Sequence, residues 1–172
     1  MIRTESVTIL ERDISSQSKV GRETGETLDV QSRQAIQLKV EGQLAQRDVA
    51  LRTVSAACRE VLARTKRTTN QRRVLHHVIS AVGEAFNNIA VHGYRDREPG
   101  FVEIEVRVDR RGRLAVEIRD YGRSFDPRSA APPNLEALPE SGMGIFIMNG
   151  LMDEIDYRPG RPNILRLVKR LT

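Results

Sequence analysis

The pattern of apolar residues along this 172-residue chain predicts an α/β protein. The expected architecture is a two-layer sandwich, in which a mixed, mostly antiparallel sheet is covered on one face by three helices. Three observations carry the expectation. Two neighbouring stretches, 48–64 and 71–92, repeat apolar residues at helical spacing. Two pairs of alternating runs are each joined by a short segment containing Gly, the mark of β-hairpins. The resulting order is strand, helix, helix, strand, strand, loop, helix, strand, strand, which differs from the strict alternation of a doubly wound nucleotide fold.

Each element has its own local reason. Residues 1–34 are rich in Ser, Thr, Glu, Arg and Gly without sustained periodicity, so they are expected to form a flexible tail. A short strand over 7–10 has no periodicity to support it. The ordered domain is expected over 35–172. It opens on residues 35–40, which alternate apolar and polar as a half-buried strand does. Residues 48–64 carry Val49, Leu51, Val54, Ala57, Val61 and Leu62 at helical spacing. Thr69 or Asn70 can cap the second, longer helix from Gln71 to about His92. The runs 101–108 and 114–118, separated by Asp109 to Arg113, form the first hairpin. Pro, Ala and Ser crowd residues 126–141, an irregular loop. A short helix follows over 143–152, then strands at 154–158 and 164–170 joined across Pro159-Gly160-Arg161-Pro162.

Composition narrows the function classes. Hydrophobic residues at 39% and charged residues at 30% fit a soluble globular domain, and no apolar run reaches the length of a membrane span. The N-terminus lacks the apolar stretch of a secretory signal. The single cysteine, Cys58, rules out an internal disulfide framework and a Cys-rich zinc site, and it reads as a small core residue. A reducing cytoplasm is the expected setting. The net charge of +5 raises nucleic-acid binding, but Arg72, Arg73, Arg107, Arg110, Arg111, Arg113 and Arg166 are scattered. Three tyrosines, four phenylalanines and no tryptophan form no stacking series. The basic surface suits an acidic partner or nucleotide phosphates better, so no direct nucleic-acid contact is expected.

Three groups of residues can carry chemistry. On the second helix, Val74, Leu75, Val78, Ile79, Val82, Ala85, Phe86 and Ile89 share one face, and Glu84, Asn88 and His92 line its edge at i, i+4, i+8. An acid and an amide one turn apart suit a hard cation such as Mg²⁺, which takes oxygen ligands and shares them with phosphates. The same spacing also suits ordinary polar residues beside an apolar face. Asp120-Tyr121-Gly122 places a carboxylate beyond a strand, next to a glycine that lets a ligand approach, or makes a plain turn. Ser141-Gly142-Met143-Gly144 feeds a helix N-terminus, where free N–H groups can meet phosphates, or serves as a helix-entry loop. It is not a Walker A loop, and no Gly-x-Gly-x-x-Gly fingerprint is present.

In this order, the three groups resemble the GHKL ATPase superfamily with its Bergerat fold. The runs EAFNNIAVHGY (84–94) and SGMGIFIMNGLMDEI (141–155) are similar to the anti-sigma factor serine-protein kinases of the general-stress and sporulation type, and the likeness spans about 35–171. It implies an ATP-binding kinase in which Glu84 accepts a proton from the substrate serine and Asn88 coordinates Mg²⁺ at the ATP phosphates. It implies that Asp120 accepts from the adenine amino group and that Gly122 admits the base. Gly142, Met143 and Gly144 would border the phosphate lid, although Met143, Met148 and Met152 also lie at the spacing of core residues. His92 matches a family position and is expected to pack or cap at the helix end. Asn163 stands where relatives often place a Thr that helps hold adenine, and it can make similar hydrogen bonds. Pro162 replaces a Gly, and the lid lacks a Thr-Thr-Lys element, leaving Arg123 and Arg128 as its cations. Arg52 falls near a basic residue that contacts partners in the family, and it equally suits a solvated helix arginine.

The partners implied are a sigma factor, held inactive, and an anti-anti-sigma protein of the STAS-domain type, phosphorylated on serine. A homodimer is implied as well. The alternative is a non-catalytic, nucleotide-gated module that sequesters its partner without transferring phosphate. The ATP-binding half of a sensor histidine kinase fits less well, because residues 1–34 are polar, short and free of histidine.

Overall fold

The computed structural model describes residues 8–13, 34–65, 70–109, 111–124 and 143–171. Their elements in chain order are β1 (Thr8–Asp13), β2 (Gln34–Glu41), α1 (Arg47–Ala63), α2 (Gln71–Asn88), β3 (Phe101–Val108), β4 (Arg113–Asp120), α3 (Met143–Leu151), β5 (Glu154–Arg158) and β6 (Asn163–Arg170). The strands form one six-stranded sheet in the order β1-β2-β3-β4-β6-β5. The expected mostly antiparallel sheet is antiparallel at every one of these pairings.

Alternation along the strands decides the layers. Ile36, Leu38 and Val40 of β2, Val102, Ile104 and Val106 of β3, and Leu114, Val116 and Ile118 of β4 all point to one face and are buried. Against them pack Val54, Cys58, Val61 and Leu62 of α1 and Val78, Val82 and Phe86 of α2. Burial pushes the Cys58 thiol up to about 12, so it is an inert core side chain. The opposite face carries charges paired along and across strands. Lys39 meets Glu103 at 3.7 Å, and Arg107 meets Glu105 at 2.9 Å and Glu117 at 3.8 Å. An antiparallel sheet can leave such a face to water.

Helix α2 starts where Asn70 accepts a hydrogen bond from the Arg73 amide at 3.1 Å, the expected cap; Thr69 lies outside the described residues. At its other end the helix does not run to His92. It stops at Asn88 and continues as a single π turn, Ile89–Gly93. Strand β4 runs two residues further than the alternation suggested, so Asp120 is its last residue and lies opposite Asn163.

The expectation for residues 1–34 needs correction over Thr8–Asp13. This segment pairs antiparallel with β2, with Ile9 opposite Leu38, and so belongs to the sheet. Backbone hydrogen bonding to an open sheet edge holds an edge strand, and neither composition nor periodicity reports that contribution. The rest of the expected tail lies outside the described residues, as do 66–69, 110 and 125–142.

The β3–β4 turn closes around Asp109. Gly112 adopts a φ of 71°, which its missing Cβ permits. Asp109 accepts from the amides of Arg111 (2.9 Å) and Arg113 (3.0 Å) and from the Arg113 guanidinium (2.9 Å). Burial alone would raise the Asp109 pKa, but these Arg113 and amide hydrogen bonds outweigh it and hold the carboxyl below its ordinary value of 3.8. An acid whose folded pKa is lowered stabilises the fold above its unfolded value, and that stabilisation disappears as pH falls through the folded value. Asp109→Asn should therefore destabilise the protein by about 1–2 kcal/mol at neutral pH, the scale of charge-assisted bonds at a partly screened site. Thermal melts of both proteins should converge as the pH falls below the ordinary carboxylate range.

Candidate functional site

The site is built where the C-terminal half of α2, the N-terminus of α3 and the ends of β4 and β6 meet. Burying Val78, Val82 and Phe86 fixes the rotation of α2, and that rotation leaves Glu84 and Asn88 half-buried on its flank. Gly144, in the first turn of α3, lies directly over them. A Cβ on Gly144 would sit 2.9 Å from Glu84 Oε2 and 3.6 Å from Asn88 Nδ2. A larger residue here would push the Glu84 carboxylate aside. The approach brings the first turn of α3, whose N–H groups have no partner within the helix, beside an acid and an amide.

The second half of the site is polar and buried. Asp120 and Asn163 are the buried polar residues among the described ones, 5% and 1% exposed. Asn163 Nδ2 donates to Asp120 Oδ1 at 3.0 Å and to the Gly122 carbonyl at 3.3 Å. Its Oδ1 accepts from Ser124 Oγ at 2.6 Å and from the Gly160 amide at 3.1 Å. The amide's hydrogen-bonding capacity is thus spent inside the protein. Asp120 Oδ1 also accepts from the Gly122 amide at 2.9 Å. Among the described residues, all partners of this carboxylate fall on Oδ1, and Oδ2 has none. Burial raises the Asp120 pKa, and the Asn163 and Gly122 hydrogen bonds offset part of that rise.

The π turn joins the two halves. Its extra residue is recorded in the bond from the Tyr94 amide to the Ile89 carbonyl at 3.1 Å. Gly93 then faces Gly122 so closely that a Cβ on Gly122 would sit 2.8 Å from the Gly93 carbonyl carbon and oxygen. The Gly93 carbonyl accepts from the Arg123 amide at 2.8 Å.

Of the residues singled out in the sequence, Glu84, Asn88 and Gly144 come together, and so do Asp120, Gly122 and Asn163. Asn163 lies against Asp120 and supports it. His92 does not extend the row of Glu84 and Asn88: the π turn breaks the i, i+4 register, and the side chain is exposed without a partner among the described residues. It therefore does not pack as expected. Met148 and Met152 are buried, but Met143, the first residue of α3, is 37% exposed. Arg52 is exposed on α1 with no ion pair among the described residues, as a solvated arginine would be. Gly142, Ser141 and Arg128 lie outside the described residues. Sequence reasoning missed Ser124 and Tyr94. Ser124 carried no signal, and Tyr94 stood in a quoted run without an assigned role. No three His, Cys, Asp or Glu among the described residues cluster so as to hold a metal. No described helix is long and apolar enough to cross a membrane.

A two-layer sandwich with an acid and an amide on one helix, a buried carboxylate at a strand end and a glycine at the next helix start defines a class of ATPase-type domain. The chain belongs to the histidine kinase-like ATPase domain family, whose profile matches residues 44–169. Within it, the chain is similar to anti-sigma F factors. It is 31% identical to that of Heyndrickxia coagulans over 98 residues, covering 54% of this chain and 67% of the relative. It is 38% identical to that of Halalkalibacterium halodurans over 80 residues, 44% of this chain and 54% of the relative. The matched regions therefore span between about half and two thirds of these relatives. A solved structure of the RsbU and RsbW domains of a Mycobacterium tuberculosis protein shares the fold, with a TM-score of 0.51 and 19% identity over 78% of this chain and 32% of that one.

Proposed function

We propose that this protein is an anti-sigma factor with ATP-dependent serine-protein kinase activity. It acts in the cytoplasm as a homodimer, holds a sigma factor inactive, and phosphorylates a serine of a small anti-anti-sigma protein of the STAS-domain type. Unphosphorylated antagonist displaces the sigma factor, so kinase activity sets which partner is held. The observation that carries this reading is the meeting of Gly144 with Glu84 and Asn88, one π turn away from the buried Asp120. The similarity to anti-sigma F factors supports the choice of partners.

The residues fit the nucleotide. Asp120 Oδ2, unpartnered among the described residues, accepts from the adenine amino group, and Gly122, packed against Gly93, forms the floor beneath the base. The N–H groups at the start of α3 face the phosphates, where the helix dipole favours negative charge. Asn88 Oδ1 would hold Mg²⁺, a cation that takes few protein ligands. The ion supplies neutralisation of phosphate charge. Glu84 accepts the proton of the substrate serine as its oxygen bonds to the γ-phosphorus and ADP departs. Positioning and charge neutralisation are the main requirements of such a transfer.

Calorimetry with ATP, with and without Mg²⁺, tests the site, and transfer of label from γ-labelled ATP to STAS-domain proteins of the same organism tests the activity. Asn88→Ala should weaken ATP binding about tenfold in Mg²⁺, the scale of one lost ligand or charge-assisted contact, and leave binding in chelator near the wild-type value. Absence of ATP binding at millimolar concentration would sink the reading. Tight binding without transfer to any such protein would instead favour a nucleotide-gated module that sequesters its partner.

A further inference from the structure

The stretch Tyr121–Arg123, which follows Asp120, is held one residue after another by a single dipeptide, Gly93-Tyr94, at the end of the π turn after α2. The Tyr121 amide donates to Tyr94 Oη at 3.2 Å. The Gly122 backbone lies against Gly93, with room for no Cβ. The Arg123 amide donates to the Gly93 carbonyl at 2.8 Å. The Tyr94 hydroxyl in turn donates to the Phe101 carbonyl at 3.3 Å, so the same oxygen ties the start of β3 to the end of β4.

The tyrosine sits in a slot cut for it. Its side chain is buried, and the slot is lined by two glycines. A Cβ on Gly42 would sit 2.5 Å from the ring, and one on Gly100 would sit 2.7 Å from the hydroxyl. Burial pushes the Tyr94 pKa up, so at neutral pH the hydroxyl keeps the proton that it donates. The π turn gives the slot its place. The extra residue shifts the register of the last turn, and Gly93 and Tyr94 then meet the end of β4. Glu84 and Asn88 project from the same helix. One rigid element therefore sets the position of the acid and amide and also of the strand end.

We infer that Gly93 and Tyr94 form a clamp fixing the base-binding end of the site, with Tyr94 a positioning residue for recognition of the adenine base. This rests on the nucleotide reading above and assigns that reading a residue which touches no ligand. Asn163 fixes Asp120 from the side of β6, and the clamp fixes the backbone that follows it. The two supports meet at Gly122, whose carbonyl accepts from Asn163 and whose amide donates to Asp120, while the Tyr121 and Arg123 amides are held by the clamp alone. Losing the hydroxyl frees the Tyr121 amide, lets 121–123 shift, and weakens contacts to the base. It leaves in place the start of α3 and Asn88, which would meet the phosphates and Mg²⁺.

The test is Tyr94→Phe in the full chain, because phenylalanine still fills the slot. Binding of ATP and of inorganic tripolyphosphate, each with Mg²⁺, is measured alongside amide exchange and thermal unfolding. The expected result is ATP binding about tenfold weaker, the scale of one buried amide left without its acceptor, with tripolyphosphate binding unchanged. Amide exchange should accelerate at Tyr121 and its neighbours and not across the core strands. Tyr94→Leu, which empties part of the slot, should weaken ATP binding further and lower the melting temperature. Equal weakening of both ligands in Tyr94→Phe would overturn the inference, since it would mark a general structural role. Unchanged ATP affinity would overturn it as well. If the wild-type chain binds neither ligand, the nucleotide reading falls, and exchange at 121–123 still decides whether Tyr94 clamps the strand end.

Discussion

Glu84→Gln should reduce phosphoryl transfer to the antagonist by about 10²–10⁴-fold, the range for loss of a general base, while ATP binds almost as in the wild type. Glutamine has nearly the size of glutamate and keeps an oxygen and a nitrogen at the positions of Oε1 and Oε2. That matters here because Gly144 approaches Glu84 so closely that α3 is fitted to the side chain. An alanine at this position would remove the proton acceptor and also part of the surface on which α3 rests. Glutamine removes only the acceptor. The measurement is the initial rate of label transfer at saturating ATP·Mg²⁺, paired with calorimetric ATP affinity for the same preparations. Undiminished transfer would remove Glu84 from the chemistry. Loss of ATP binding in parallel with transfer would give it a structural role beneath α3.

The parts of the fold that the sequence reveals are those set by short-range periodicity. Helix α2 is legible because Val74, Val78, Val82, Ala85 and Phe86 recur at helical spacing, and the core does bury that face. The β3–β4 hairpin is legible because the runs alternate on both sides of a turn whose Gly112 takes a positive φ. The site is legible only in part. Glu84 and Asn88 share a flank by helical geometry, so their juxtaposition follows from their spacing. That Gly144 packs on them is a tertiary contact about sixty positions away, and spacing cannot report it. Resemblance to a family filled that gap. The Asp120–Asn163 pairing depends on the register of β4 against β6, which the extra length of β4 establishes. The sequence suggested that Asn163 could replace a ligand-binding Thr, whereas its amide is spent on Asp120, Gly122, Ser124 and Gly160. The π turn was hidden because apolar residues continue through Ile89 at helical spacing. The row drawn through His92 assumed that the helix did not change pitch. Strand β1 was hidden because pairing through the backbone leaves no trace in periodicity.

Two substitutions at the strand end should weaken ATP binding with opposite effects on stability. Gly122→Ala puts a Cβ 2.8 Å from the Gly93 carbonyl group. Neither side can yield easily, because Gly93 is fixed by the π turn and Gly122 by the pairing of Asp120 with Asn163. Overpacking against backbone should destabilise the fold by about 1–3 kcal/mol, with loss of ATP binding as the floor of the base site shifts. Asp120→Asn keeps an oxygen where Oδ1 accepts from Asn163 and Gly122, so the internal hydrogen bonds survive. It places an amide nitrogen at Oδ2, where a donor would meet the adenine amino group. ATP affinity should fall by about 10–100-fold, the scale of a lost hydrogen bond to a charged group. Stability should rise. Burial raises the folded pKa of Asp120 above its ordinary value of 3.8, so the protonated side chain favours the folded state, and that advantage is lost as pH rises through the folded value. At neutral pH the wild type carries a buried carboxylate that the variant lacks. Thermal melts should show Asp120→Asn at or above the wild type at neutral pH, with the gap closing toward acid. Full ATP affinity in Asp120→Asn would remove the carboxylate from base recognition. Weaker binding in a more stable protein cannot be attributed to unfolding, so that combination would assign Asp120 to function at the expense of stability.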